Sequence, residues 1–183
     1  ASRDPELDAQ LKMYRDWYGH HCGGDDIRMI LRGLRSMSAR LRTHEENAYH
    51  IAEVLQEHPA VQRVIWPALP NHPDHAIWQR DFTGAASLFA FVLKPKPSNK
   101  LNLMMDNMQL YGMGYSWGGY ESLIIPFVPA RDHETDTNVG ETSKNVENNG
   151  ENAQSHAMRI YLGLEDKHDL ARDLVAGLDR YWL

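Results

Sequence analysis

Two stretches carry residues whose types suit recognition rather than packing alone. The first, YSWGGYESL at Tyr115–Leu123, sets a hydroxyl and three aromatic rings around the pair Gly118-Gly119. Glycines open dihedrals closed to other residues and let the backbone approach a ligand. Ser116 offers a donor and an acceptor, while Trp117 and the flanking Tyr115 and Tyr120 offer flat apolar faces with polar tips. The same composition also suits a plain glycine turn with packed rings. The second stretch is MRIYLGLE at Met158–Glu165. Met158, Ile160, Leu162 and Leu164 alternate with Arg159, Tyr161, Gly163 and Glu165, so the second face of this strand starts with a lone arginine. Its planar fork suits a carboxylate held by two parallel hydrogen bonds, belonging either to a ligand or to an acid of the protein.

The elements that must position these residues follow from periodicity. Leu7, Leu11, Tyr14, Trp17 and Tyr18 predict a short amphipathic helix over 5–18. From Asp25 to about His58 runs the longest periodic segment, with a seam of Ile27, Leu31, Leu34, Ser38, Leu41, Glu45, Ala48, Ala52 and Leu55. Unbroken, it would extend roughly 50 Å; Thr43 followed by Glu46 matches a capping box and marks a candidate break. Short apolar runs predict strands at Val61–Trp66, at 86–93, near Gln109–Met113 and at Leu123–Val128, and KPKPSNK reads as a prolyl turn. Helices are expected around Asp74–Arg80, at LNLMMDNM after the prolyl turn, and over Asp166–Trp182. The 86–93 strand, ASLFAFVL, is apolar on both faces and therefore calls for cover on both. Strands interspersed with helices, without regular βαβ alternation, give an α+β fold: a small, mainly antiparallel sheet with helices on one face.

Composition narrows the function classes. With 183 residues the chain can bury a real core, and its 42% hydrophobic and 24% charged content is that of an ordinary globular protein. No apolar run approaches a bilayer's thickness. A formal charge of −6 argues against nucleic-acid or anionic-membrane partners, even though Arg28, Arg32, Arg35, Arg40 and Arg42 line the long helix. Those arginines read as a solvated or interface-facing stripe. The single cysteine, Cys22, excludes an intrachain disulfide and fits a reducing cytosol. His20-His21-Cys22 and the pair His72/His75 lack the partners a metal site needs and read as polar surface. From 129 to 156 the sequence is almost free of apolar residues and predicts a disordered polar loop. The chain opens on Ala1, as a processed, cut or truncated polypeptide would.

Taken in order, GGDD, RGLRSMSARLRTHEENA, HPAVQRVIWPALPNHPDH, RDFTGAASLFAFVL, YSWGGYESL and MRIYLGLEDKHDLARDL resemble the C-terminal domain of the PLP-dependent transsulfuration enzymes of Cys/Met metabolism. The similarity runs from about residue 10 to the end, apart from 129–156. Tryptophan in YSWGG points toward the β-lyases, whereas γ-synthases and γ-lyases usually carry Ser-Leu-Gly-Gly there. The resemblance implies the C-terminal domain of a fold-type-I enzyme that uses pyridoxal 5'-phosphate (PLP) to cleave the Cβ–S bond of L-cystathionine. It implies that Arg159 takes the substrate's α-carboxylate, that Ser116 orients the substrate, and that Tyr115 and Trp117 line its pocket. It further implies a cytoplasmic homotetramer in which this domain partners its own N-terminal PLP domain.

The chain departs from that pattern at the cofactor. The family's PLP lysine lies in a Ser-x-Thr-Lys context, which none of Lys12, Lys94, Lys96, Lys100, Lys144 and Lys167 has. The expectation is therefore a helix and connector over 1–24 that end a PLP domain, a small domain over 25–183, and no catalytic, cofactor-binding or metal-binding residue in this chain. Taken alone it would be inactive; a γ-synthase or γ-lyase of the same family and a stand-alone non-catalytic interaction module with the same fold are the competing expectations.

Overall fold

A computed structural model describes residues 2–128 and 154–183, and the side chains of all of these except Gln154. It divides into two units, Ala1–Ala39 and Arg40–Leu183. The first contains helix α1 (Pro5–Tyr18), begun by Asp4, whose carboxylate accepts hydrogen bonds from the amides of Glu6 (2.9 Å) and Leu7 (3.3 Å). No residue of α1 is buried. Helix α2 spans Gly24–Glu57 without a break at Thr43. Its buried positions are His44, Asn47, Ala48, Ile51, Ala52 and Leu55, whereas Ile27, Leu31, Leu34 and Leu41 of the expected seam are exposed.

In the second unit a four-stranded sheet has the order β1-β2-β4-β3, with β1 Val61–Ile65, β2 Leu88–Lys96, β3 Leu123–Pro126 and β4 Gln154–Tyr161. All three pairings are antiparallel. Helices α3 (His75–Asp81), α4 (Ser98–Met105) and α5 (Lys167–Trp182) complete the order. Phe89, Phe91 and Leu93 of β2, Met158 and Ile160 of β4 and Ile124 of β3 share one core with the C-terminal part of α2, with Leu101 and Met104 of α4, and with Leu170, Leu174, Leu178 and Tyr181 of α5. Side chains alternate along a strand, and paired antiparallel residues share a face. The rows Phe89–Ile160–Ile124 and Ala90–Arg159–Ile125 therefore lie on opposite faces, with the helices on the first. The expected α+β architecture, that of the C-terminal part of a fold-type-I PLP enzyme, is the one observed.

Local expectations need four corrections. β2 runs through Lys94-Pro95-Lys96, which the sequence suggests as a turn; the ladder shifts register between Leu93 and Lys96, and a bulge is where a central strand tolerates proline. No strand forms at Gln109–Met113, only a bridge between Gly112 and Leu123, because the amides of Gln109 and Leu110 donate to the Asp173 carboxylate of α5 at 2.7–3.1 Å. β4 begins at Gln154, so 154–156 belong to a strand and not to the disordered loop expected over 129–156, while 129–153 lie outside the described residues. The second face of β2, whose cover the two-sided apolar pattern leaves to a domain outside this chain, is largely covered from within it: Val92, Ala157, Ile125 and Tyr161 are buried.

Candidate functional site

The two sequence stretches meet on the sheet face opposite the helices. Arg159 stands in mid-strand, flanked in its row by Ala90 and Ile125. Ala90 carries only a methyl group, so bulk beside the arginine stays low. The guanidinium Nη2 donates to the carbonyl of Tyr115 at 2.7 Å, with a longer contact to the carbonyl of Gly114 at 3.4 Å. Among the described residues Arg159 has no carboxylate partner.

That arrangement bears on what the arginine can still bind. Either two-pronged edge of a guanidinium uses a nitrogen that here is Nη2, and Nη2 carries two hydrogens. The short bond to Tyr115 occupies one. A carboxylate can take the other by displacing the long contact to Gly114, so the fork remains usable while the loop stays attached.

The loop is pinned elsewhere by the same strand and its continuation. The Tyr161 hydroxyl donates to the Gly119 carbonyl at 2.9 Å, and Leu164 N–H donates to the Tyr120 carbonyl at 2.8 Å. Glu165 accepts from Ser122 twice, from its amide at 2.8 Å and from its hydroxyl at 2.7 Å, and the Ser122 oxygen accepts from the Gly163 amide at 2.8 Å. Behind them lies a buried polar layer from α2. His44 Nδ1 donates to the Leu162 carbonyl at 2.8 Å, and Asn47 donates to the carbonyls of Gly163 and Glu165, both at 3.0 Å. Ser87 adds a 2.6 Å bond to the Leu162 carbonyl. Buried polar groups are tolerated when every partner is supplied, and here they fix one loop conformation.

Arg159 and the 115–117 turn are thus brought together, through the backbone of Tyr115. The side chains of Tyr115 (83% exposed), Ser116 and Trp117 (62% exposed) face outward, and the Ser116 hydroxyl has no hydrogen bond among the described residues. Gly118 adopts φ 97°, the left-handed region in which a side chain is strained, so its glycine serves the turn itself. The sequence reading misses Tyr161, Gly163, Glu165, His44 and Asn47 as loop holders. Alternation does put Tyr161, Gly163 and Glu165 on the side of Arg159, which is the one available signal.

Cofactor chemistry finds no counterpart among these residues. Lys94 and Lys96 lie over the Trp182 ring at 5.4 and 4.4 Å, and Lys12 pairs with Asp8 at 2.7 Å. No described lysine bonds to Arg159 or to the loop, so the donor set does not fit a covalently held PLP. The described residues also contain no group of three or more His, Cys, Asp or Glu side chains arranged to hold a metal, and no helix among them is long and apolar enough to cross a membrane.

Comparison with known proteins agrees with this architecture. The chain is 43% identical to the cystathionine beta-lyase MetC of Escherichia coli K12 over 173 residues, 93% of this chain and 41% of that enzyme. It is 41% identical to the cystathionine beta-lyase of Salmonella typhimurium, again over 93% of this chain and 41% of the relative. The crystal structure of cystathionine gamma synthase from Xanthomonas oryzae pv. oryzae, in complex with aminoacrylate and cysteine, superposes with a TM-score of 0.76 at 33% identity. That match covers 99% of this chain and 44% of the synthase. The chain therefore spans about two fifths of the length of these relatives. The family model described as Cys/Met metabolism PLP-dependent enzyme matches residues 1–179, and the chain belongs to that family.

Proposed function

We propose that this chain is the substrate-carboxylate-binding part of a PLP-dependent carbon–sulfur β-lyase, which with water converts L-cystathionine to homocysteine, pyruvate and ammonia. The observation that carries the reading is Arg159: a half-buried guanidinium anchored to the recognition loop, with a usable fork and no carboxylate of its own among the described residues. In this reading Arg159 takes the amino acid's α-carboxylate, Ser116 orients the substrate, and the exposed rings of Tyr115 and Trp117 close over it. PLP, when bound, supplies the electron sink for breaking the bond at Cβ. Its lysine and phosphate contacts belong to polypeptide beyond the residues described. The enzyme would be a cytoplasmic homotetramer in which this domain docks on its own PLP domain. Trp117 in YSWGG and the higher identity to β-lyases than to the γ-synthase favour β- over γ-chemistry.

Expressed from its complete reading frame, the protein should release pyruvate from L-cystathionine; 2-oxobutyrate in its place would move the assignment to a γ-lyase. The 183-residue chain alone should release neither and bind no PLP, and turnover by it would overturn the division of labour. In the longer protein Arg159→Lys keeps the charge but loses the fork. A hydrogen bond to a charged group contributes about 1.5–3 kcal/mol, so kcat/KM for cystathionine should fall roughly 10- to 100-fold. An unchanged kcat/KM would remove Arg159 from the binding site.

A further inference from the structure

We infer that Tyr161 is a positioning residue of the recognition loop: with its ring packed on His44, its hydroxyl holds the Gly118-Gly119 turn by a backbone carbonyl and thereby fixes the pose of Ser116 and Trp117 relative to Arg159. The inference rests on the reading of this loop as substrate-recognising. Tyr161 lies two residues beyond Arg159 on the same face of β4, in the row Leu88–Tyr161–Leu123. Arg159 holds the loop at the Tyr115 carbonyl and Tyr161 holds it at the Gly119 carbonyl, so the two bonds bracket Ser116, Trp117 and Gly118. The bracketed segment has few bonds of its own: among the described residues Ser116 has none, and Gly118 is the left-handed hinge. With Tyr161 unable to donate, the anchor at that end retreats from Gly119 to the Tyr120 carbonyl held by Leu164 N–H, and the span left unanchored grows longer.

The phenol is placed to donate to the loop. Its ring is buried, 6% exposed, and lies tilted on the His44 ring with centroids 5.5 Å apart. A carbonyl only accepts, so His44 Nδ1 carries the hydrogen given to Leu162, and its Nε2 lies 3.3 Å from the phenol oxygen. The single phenolic proton then goes to the shorter contact, Gly119 at 2.9 Å. Burial raises the phenol above its ordinary pKa, which keeps it a donor.

Tyr161→Phe removes the hydroxyl and keeps the ring. In the 183-residue chain, amide hydrogen exchange is read at Ser122 and Leu164, whose N–H groups bond to Glu165 and to the Tyr120 carbonyl, and is normalised to Ile160 in the sheet core. The variant should exchange roughly fivefold faster at both loop-linked amides relative to Ile160, the shift expected from losing one such bond. In the enzyme from the complete reading frame, KM for cystathionine should rise several-fold, with kcat held within about twofold as for lost uniform binding. Unchanged relative exchange, acceleration equal to that of Ile160, or a loosened loop with unaltered KM would each overturn the inference. If the intact enzyme turns over no cystathionine, the lyase reading fails, and the exchange comparison by itself decides the role of Tyr161.

Discussion

Gly163 owes its identity to crowding, not to backbone freedom, since its φ is not positive. A Cβ there would run into the Tyr120 carbonyl oxygen and lie 2.6 Å from the Glu121 carbonyl carbon. Both obstacles are backbone and cannot swing aside. Gly163→Ala must therefore push the recognition loop off β4, and it should cost about 2–3 kcal/mol in urea unfolding, the upper part of the range for overpacking. A variant of wild-type stability would mean that the loop yields freely. Ser122→Ala tests the neighbouring link: it strips Glu165 of a donor and leaves the buried Gly163 amide without its acceptor, a loss of about 1–3 kcal/mol by the same measurement. Arg159 was legible in the sequence because an arginine on an otherwise apolar strand stands out. Gly163 was not, because the fault it avoids lies with Tyr120 and Glu121, which only the folded chain brings near.

Elements whose signal is periodic were read with small error, and those governed by partners distant in sequence were not. The α1 span over 5–18 was recovered because its limits are local: Asp4 caps it and Gly19 follows it. The sequence locates α2 and the buried Ala48, Ala52 and Leu55 of its seam, but it carries that seam on to Leu31 and Leu34, which are exposed, and passes over the buried His44, Asn47 and Ile51. Strand β4 adds a pH dependence of its own. His156 is 8% exposed, edge-on to the Tyr181 ring at 6.1 Å and within 3.3 Å of the Lys96 carbonyl, and burial lowers its pKa below the ordinary value. The unfolded chain then takes up a proton at about pH 6.5 that the folded chain resists. This contribution to stability is complete above that pH and declines as the pH falls toward the folded-state value. His156→Gln should flatten the decline in urea midpoint between about pH 7.5 and 5.5 relative to the parent chain. A parallel decline in both proteins would show that His156 charges as easily folded as unfolded.

At the scale of the whole molecule, burial is distributed unevenly. The unit over 40–183 contains every buried core residue among those described, whereas in the unit over 1–39 the side chains of Leu7, Leu11, Tyr14, Trp17, Tyr18, Ile27, Met29, Ile30, Leu31 and Leu34 are exposed. A lone α-helix shorter than about 12–15 residues is marginal in water, so the 14 residues of α1 depend on local terms: the Asp4 cap, the Lys12–Asp8 pair at 2.7 Å and the stacked Tyr14 and Tyr18 rings. Exposed apolar surface on this scale favours association. A chain that spans 41% of its lyase relatives has, in a longer enzyme, further polypeptide with which to cover it. Two outcomes are expected of the 183-residue chain in isolation. Amides of α1 should exchange near the free-peptide rate while those of β2 and β4 are the slowest in the molecule, and sedimentation should reveal concentration-dependent self-association that Leu11→Lys with Trp17→Lys reduces. Slow exchange in α1 together with a monomer at every concentration would mean that this unit protects its apolar side chains by itself, and that it is not the surface on which the rest of a lyase docks.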